Sequence, residues 1–278
     1  MPRVATPDGN AVAVHDLGGD GPTLLLAHAT GFHGHVWDPV ASRLKDRFHC
    51  WSFDERGHGD SDAAPGDDYD WQGFATDALA VIDGLPLEPP LVAAGHSCGG
   101  ALLLLAEQRR PGTFAALWTF EPVMIPTEMP LPVSGDNPLA AGARRRRAEF
   151  PSKQAAFDNF AGKPPFDRLH PDALWAYVDH GFALEDADGT VRLKCEPENE
   201  ARTYEMGMGH NAYGHLPEVA CPVTVACGER TDAFPEPVIR AIAERLPRGT
   251  AEVMPGLSHF GPLEDPAAVA ASIGRALG

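Results

Sequence analysis

Four things are scarce in this 278-residue chain, and each scarcity closes off a class of function. Cysteine is the first. There are five, Cys50, Cys98, Cys195, Cys221 and Cys227, scattered, odd in number and without a C-x-x-C pair. That spacing argues against a disulfide framework or a cysteine-based zinc cluster, and a reducing, cytoplasmic setting is expected. Positive charge is the second: 22 Lys+Arg against 39 Asp+Glu leave −17. Such a surface repels phosphate backbones, so nucleic acid is not an expected partner. Long apolar runs are the third. No stretch approaches the ~20 residues a bilayer-spanning helix needs. The opening Met-Pro-Arg-Val-Ala-Thr-Pro-Asp-Gly has no apolar core of a signal peptide. Neither a membrane span nor a secretory leader is expected. Internal repeats are the fourth, and their absence argues against a solenoid.

What remains is globular. Hydrophobic residues make up 44%, an ordinary value for a folded domain. Short apolar runs predict strands at 3–6, 11–16, 23–28, 48–53, 91–95, 115–120, 223–227 and 250–254. Helical patterns fall between them at 35–46, 71–83, 98–109, 235–246 and 266–277. Such alternation predicts an α/β fold with a mostly parallel central sheet and helices on both faces. The alternation stops after Glu121-Pro-Val-Met124 and resumes at Cys221. Residues 125–213 therefore read as an inserted, mainly helical lid between two parts of one core, 1–124 and 214–278. A lid there would cover the strand ends where open α/β sheets place ligands.

The most telling stretch is Gly95-His-Ser97-Cys-Gly99, between an apolar run and Gly100-Ala-Leu-Leu-Leu-Leu. A G-x-S-x-G between strand and helix is a nucleophile elbow, a sharp turn that lifts the serine hydroxyl clear of the chain. A serine hydroxyl is a weak nucleophile until a base takes its proton, and the base is usually a histidine held by a carboxylate. Among 12 histidines, His259 has the right place, in a glycine-bracketed loop after the last strand; His58, His96 and His210 are weaker candidates. Three carboxylates can reach the same edge. Asp232 follows the strand 223–227 and gives the order Ser97, Asp232, His259; Glu121 ends the strand 115–120; Glu229 shares the loop of Asp232. Asp232 is preferred by loop placement, and Glu121 stays open as the alternative acid. For the oxyanion, the backbone N–H of Cys98 follows the nucleophile, and the loop after strand 23–28 offers that of Thr30 or a close neighbour. The Cys98 side chain reads as a packed small residue.

Taken together, these segments resemble the α/β-hydrolase superfamily, in its lidded serine-hydrolase branch. His28-Ala-Thr-Gly31 with Trp37 resembles the oxyanion loop, with alanine where the family usually has glycine. Asp54-Glu-Arg-Gly-His-Gly-Asp-Ser61 resembles the D-x-R-G-H-G-x-S segment, and Ser258-His-Phe260 resembles the histidine loop. The resemblance covers the chain apart from the lid. It implies hydrolysis of carboxylic esters or lactones through an acyl-enzyme on Ser97, with no metal and no organic cofactor. Ser97 speaks against the dehalogenases and epoxide hydrolases of the superfamily, which use an aspartate nucleophile. Carbon–carbon bond hydrolysis of a vinylogous diketone, or a cofactor-free perhydrolase, would use the same triad; a small-ligand receptor is the non-enzyme alternative. The expected partner is a small-molecule substrate, and the chain is expected to be a monomer or small homo-oligomer. Within the lid, Trp175, Tyr177, Phe182, Tyr204, Met206 and Met208 are expected mostly to form its own core, with some facing Ser97. Arg144–Arg147 reads as a solvated helix face, and uncharged substrates with a compact apolar group are expected.

Overall fold

The computed structural model describes residues 2–87, 89–125, 137–184, 189–207 and 209–278. Eight strands form one sheet: β1 (Arg3–Ala5), β2 (Ala11–Gly18), β3 (Thr23–Ala27), β4 (His49–Phe53), β5 (Val92–His96), β6 (Ala116–Phe120), β10 (Val223–Gly228) and β11 (Gly249–Met254). Their spatial order is β1-β2-β4-β3-β5-β6-β10-β11. Only β1–β2 and β2–β4 pair antiparallel; the five pairs from β4 to β11 are parallel. The predicted strands lie within two residues of these bounds. Parallel strands covered on both faces carry continuous apolar runs, and β3, Thr-Leu-Leu-Leu-Ala, is buried throughout. Leu25 and Ala27 enter one apolar layer with α2 (Trp71–Gly84), α3 (Cys98–Arg109) and α8 (Glu236–Arg245). Leu24 and Leu26 enter the other with α1 (Asp38–Ala41) and α10 (Pro266–Leu277). The period-2 alternation of side chains along a strand produces this split.

The predicted helix at 35–46 is not continuous. A 3-10 turn (Gly34–Trp37) leads into the four-residue α1, and turns follow. The amides of Arg43 and Leu44 bond three residues back, and Ser42 Oγ takes the Pro39 carbonyl that a longer helix would use.

The segment between β6 and β10 carries α4 (Pro138–Arg144), α5 (Lys153–Ala161), α6 (Pro171–Gly181) and α7 (Pro197–Met206). It is not only helical. β7 (Glu149–Phe150), β8 (Phe182–Leu184) and β9 (Val191–Leu193) form a separate antiparallel sheet in the order β7-β9-β8. Two- and three-residue strands leave too little alternation in sequence to be read. The remaining helix, α9 (Gly261–Glu264), directly precedes α10.

The sheet's register sets the site. Ala27 lies opposite Gly95, His96 opposite Phe120, and Phe120 opposite Ala226. The loops after β3, β5, β6 and β10 therefore leave the sheet side by side, where the strand order reverses around β3 and β5.

Candidate active site

Ser97 sits in the sharp turn between β5 and α3, with φ 55° and ψ −112°. A non-glycine residue at positive φ is costly and persists only when its surroundings hold it there. Here they do. The Ser97 amide donates to Phe120 O at 2.9 Å, and its carbonyl accepts from Ala101 and Val123. The flanking glycines are required by contact: a Cβ on Gly95 would lie 2.5 Å from Gly99 O, and one on Gly99 2.3 Å from Ala27 O. As N-cap of α3, Ser97 makes no side-chain capping bond, so its hydroxyl stays available. Cys98 is fully enclosed, and burial pushes its thiol well above the ordinary range. It is a packing group and not a second nucleophile.

Geometry sets His259 beside Glu121 and not beside Asp232, the carboxylate preferred from sequence. His259 Nδ1 lies 2.7 Å from Oε2 of Glu121, while Asp232 is exposed on the cavity wall. Glu121 is completely buried and follows directly on β6, itself at a φ of 45°. Its Oε1 accepts from the Gly228 amide at 3.0 Å and its Oε2 from the Thr231 hydroxyl at 2.8 Å. The loop after β10 therefore supplies hydrogen-bond donors to a carboxylate from β6, where loop placement had suggested that it supplied the acid. Glu229, the third possibility, is exposed and accepts from the Gly256 amide at 2.9 Å. A carboxylate can only accept, so Nδ1 of His259 carries the proton and Nε2 is left as the basic nitrogen.

His96 has a role the sequence did not reveal. Burial holds it well below the ordinary histidine range, and its Nε2 lies 2.7 Å from the His259 carbonyl. The neutral ring donates to that oxygen and fixes the backbone of the histidine loop. Only its position beside the nucleophile could have hinted at this. His58 and His210 are elsewhere: the His58 ring bonds Arg56 O at 3.0 Å, and His210 stacks on Trp71.

The loop after β3 is held by His28. Its Nε2 accepts from the Glu55 amide at 2.9 Å and its Nδ1 donates to Ala29 O at 2.8 Å. Burial pushes His28 down to about 3, so it stays neutral and can do both. His28 O accepts from the Gly99 amide at 3.0 Å, which ties this loop to the start of α3. Thr30 is thereby carried to the cavity beside Ser97. The Cys98 amide, first in α3, has no carbonyl to reach within the helix. The 54–61 segment is scaffolding. Asp54 Oδ1 accepts from the Gly34 amide at 2.7 Å, Asp54 Oδ2 accepts from Asp60, and Arg56 makes a two-pronged bond to Asp77 of α2, both at 2.7 Å. Glu55 is buried beside the Cys98 thiol, and burial raises it well above the carboxylate range.

Ser97, His259 and Thr30 line one cavity of about 430 Å³. Phe32, Trp71, Val123, Phe234 and Phe260 give it apolar walls from the core, and Leu139, Tyr204 and Gly207 come from the inserted segment. Among the described residues lining it there is no Lys or Arg. Of the aromatics singled out in the insertion, only Tyr204 reaches this cavity. Trp175 stacks on Phe157 at 4.2 Å, and Tyr177 and Phe182 pack with Phe150 and Phe160. The Met206 Sδ accepts from the Tyr69 amide at 3.2 Å. Met208 lies outside the described residues. The arginine run is not a uniform solvated face either. Arg144 pairs with Glu198 and Glu205, Arg146 turns in to Glu200 and the Tyr177 hydroxyl, and Arg147 lies over the Phe150 ring.

Among the described residues no helix is long and apolar enough to cross a membrane. The chain is 24% identical over 242 residues to a 2-(acetamidomethylene)succinate hydrolase of Mesorhizobium japonicum, covering 87% of this chain and 83% of that protein. The crystal structure of an E-2-(acetamidomethylene)succinate hydrolase superposes with a TM-score of 0.82 at 21% identity, over 99% of this chain and 98% of the other. A thermophilic esterase from Thermogutta terrifontis superposes at 0.76 and 22% identity, over 99% and 96%. These likenesses speak for the fold. The sequence pattern of the alpha/beta hydrolase family matches residues 24–272, and the chain belongs to that family.

Proposed function

We propose that this protein is a serine hydrolase of carboxylic esters or lactones. The carrying observation is the 2.7 Å contact between Glu121 and His259 Nδ1, in a cavity that both His259 and the strained Ser97 line. Glu121 holds the imidazole in the tautomer whose Nε2 can act as base. His259 takes the proton as Ser97 Oγ attacks the carbonyl carbon. The amides of Cys98 and Thr30 receive the oxyanion, a contribution of about 3 kcal/mol for each such donor. His259 then returns the proton to the leaving alkoxide. Water activated by the same nitrogen cleaves the acyl-enzyme, and neither step draws on a metal or cofactor.

The segment 125–213 acts as a lid in this reading. Leu139 and Tyr204 close the cavity from above and limit water around the acyl-enzyme. The cavity has apolar walls and Asp232 at its edge, so it favours uncharged acyl and alcohol groups over anionic ones. The five free, buried cysteines support a reducing, cytoplasmic setting. The test is a panel of esters, lactones and vinylogous diketones, with fluorophosphonate labelling in parallel. Turnover of uncharged esters and labelling of Ser97 are expected. Turnover of diketones alone would move the assignment to carbon–carbon hydrolysis, and neither turnover nor labelling would leave the receptor reading.

A further inference from the structure

A second cluster of chemistry-bearing side chains lies away from Ser97, where the insertion meets the core. His35 sits in the 3-10 turn Gly34–Trp37, Asp38 opens α1, and His180 stands in the last turn of α6. One nitrogen or oxygen from each falls within 4.8 Å of the others. The three residues are half-buried, and none lines the Ser97 cavity.

His35 meets both oxygens of Asp38 and is not closed onto one of them. His49–Asp16 and His215–Glu218 close to 2.7 Å, a normal charge-assisted hydrogen bond. His35 Nδ1 stands 3.2 and 3.1 Å from the two oxygens of Asp38. Bonds of 2.0–2.1 Å around a tetrahedral ion place neighbouring ligand atoms about 3.3 Å apart. The His180 ring stacks on that of His35 with centroids 3.8 Å apart and planes at 20°. Stacked rings direct their nitrogens in nearly parallel directions, so sharing an ion requires the half-buried His180 ring to swing about its side-chain torsions toward the point beside Asp38. The surroundings leave that point free of a resident cation. Lys194, on the same side, is engaged with Asp60 at 2.8 Å. The His15 ring packs 4.2 Å from His35 while its Nε2 faces Asp54 at 3.0 Å, a fixed wall behind the site.

We propose that His35, Asp38 and His180 bind one divalent transition-metal ion of the zinc class, which fastens α6 of the insertion to the core. Two imidazoles and one carboxylate form a donor set of intermediate softness. It suits zinc, cobalt, nickel or copper, whereas calcium and magnesium prefer all-oxygen shells. Three protein ligands with partial exposure leave the fourth position to water. The ligands come from both sides of the joint, so the ion binds the folded arrangement and stabilises it. The inference is independent of the reaction proposed for Ser97.

The test titrates zinc into the chelator-treated full-length protein by calorimetry and follows cobalt binding by visible absorption. One ion per chain is expected, with a thermal midpoint that rises with zinc. Asp38→Asn and His180→Ala should each weaken binding by about tenfold or more, and a His49→Ala/His215→Ala control should leave it within about twofold. Asp38 is 39% exposed in its side chain, so its asparagine variant is expected to fold even where the histidine variant does not. Ester hydrolysis should survive chelation. Absence of stoichiometric binding tighter than about 100 μM would overturn the proposal. So would binding that Asp38→Asn and His180→Ala leave unchanged.

Discussion

The parallel core and the inserted segment bury apolar surface by different means. In the core, β3, β5 and β6 are covered on both faces, and register fixes which residues meet at the strand ends. In the insertion, strands are two or three residues long and burial rests on stacked rings. Phe160, Phe166, Tyr177 and Phe182 lie with centroids 5.0 to 6.2 Å apart, and Phe32 from the loop after β3 joins them at 5.4 Å from Tyr177. Register places atoms to fractions of an ångström, because every strand is hydrogen-bonded to its neighbours. Ring packing tolerates exchange of one apolar shape for another. A reaction that needs fixed geometry belongs on the first kind of scaffold, and a wall that selects substrates can be built on the second.

The comparison breaks first at the elbow. Ser97→Ala is expected to leave a folded protein and lower turnover by about 10⁶, the usual cost of a triad nucleophile. Fluorophosphonate labelling should vanish with it. Retained labelling, or activity above about a hundredth of wild type, would mean that the core does not carry the chemistry. Next comes the acid. Glu121→Gln should lower turnover by about 10⁴ because the imidazole loses its tautomer. Asp232→Asn should change it only a few-fold. Equal losses in folded variants would sink the assignment of Glu121.

The pairing of Glu121 with His259 joins residues 138 positions apart, and local sequence does not encode it. Strand positions and the sharp strand–helix turn at Ser97 were legible because they follow from local composition: apolar runs, glycines and a strand–helix junction. The placement of the His259 loop at the same edge as Ser97 was legible too. The partner of His259 was not, because Asp232, Glu229 and Glu121 all lie near the same edge and sequence order cannot separate them. The choice rests on Glu121 being fully buried against Gly228 and Thr231, a long-range contact across β6 and β10. The break in the helix predicted at 35–46 was by contrast signalled locally, since Pro39 as its fifth residue has no amide to bond the His35 carbonyl and is tolerated only in the first turn, where α1 places it. In the insertion the aromatics were correctly read as mostly a core of their own. The inward turn of Arg146 toward Glu200 was not readable, because nothing in a run of four arginines distinguishes one from another.

Stability should separate the two regions. Phe150 is 1% exposed, with Phe160 and Phe182 each 5.7 Å away. Phe150→Ala is expected to cost about 3–5 kcal/mol, and Leu25→Ala in β3 about 2–5 kcal/mol. Hydrogen exchange tells them apart. The first should speed exchange mainly in α5, α6 and β7–β9, and the second across the whole sheet. Uniform acceleration by Phe150→Ala would mean that core and insertion unfold as one unit.

Acid should act on the core through two buried histidines of the loop after β3, one of which, His33, bonds the Tyr177 carbonyl of the insertion. Burial pushes His28 down to about 3 and His33 down to about 4. Each is charged more readily in the unfolded chain, where histidine titrates near ~6.5. Their contribution to stability is therefore present above that pH and is lost as pH falls toward 4 and then 3, at about 1.4 kcal/mol per unit for each ring. Glu55 works in the opposite sense. Its raised value makes its contribution greatest below the ordinary glutamate range, and it declines as pH rises. Urea midpoints should fall on acidification from pH 6.5, and Glu55→Gln should flatten the decline on the alkaline side. An unchanged alkaline slope in that variant would show that Glu55 does not carry it.

The smallest expected effect bears most directly on what the insertion does. Leu139 is 60% exposed yet lines the Ser97 cavity, and Tyr204 faces it from α7. Trp175 is packed against Phe157 and does not reach the cavity. If the insertion selects substrates through its walls, Leu139→Ala and Tyr204→Ala should alter relative kcat/KM among uncharged esters of different chain length. The change should be several-fold, since one methylene in an apolar pocket is worth about 1–3 kcal/mol at most. Trp175→Ala should instead lower stability and scale every ester alike. The panel should also include anionic esters, because Asp232 and the absence of a lining cation predict that they remain the poorest substrates in every variant. Uniform scaling in all three variants would reduce the insertion to a passive cover. A shift toward anionic esters in Leu139→Ala would mean that a cation outside the wall, Arg146 or Lys163 of the adjoining cavity, governs charge selection.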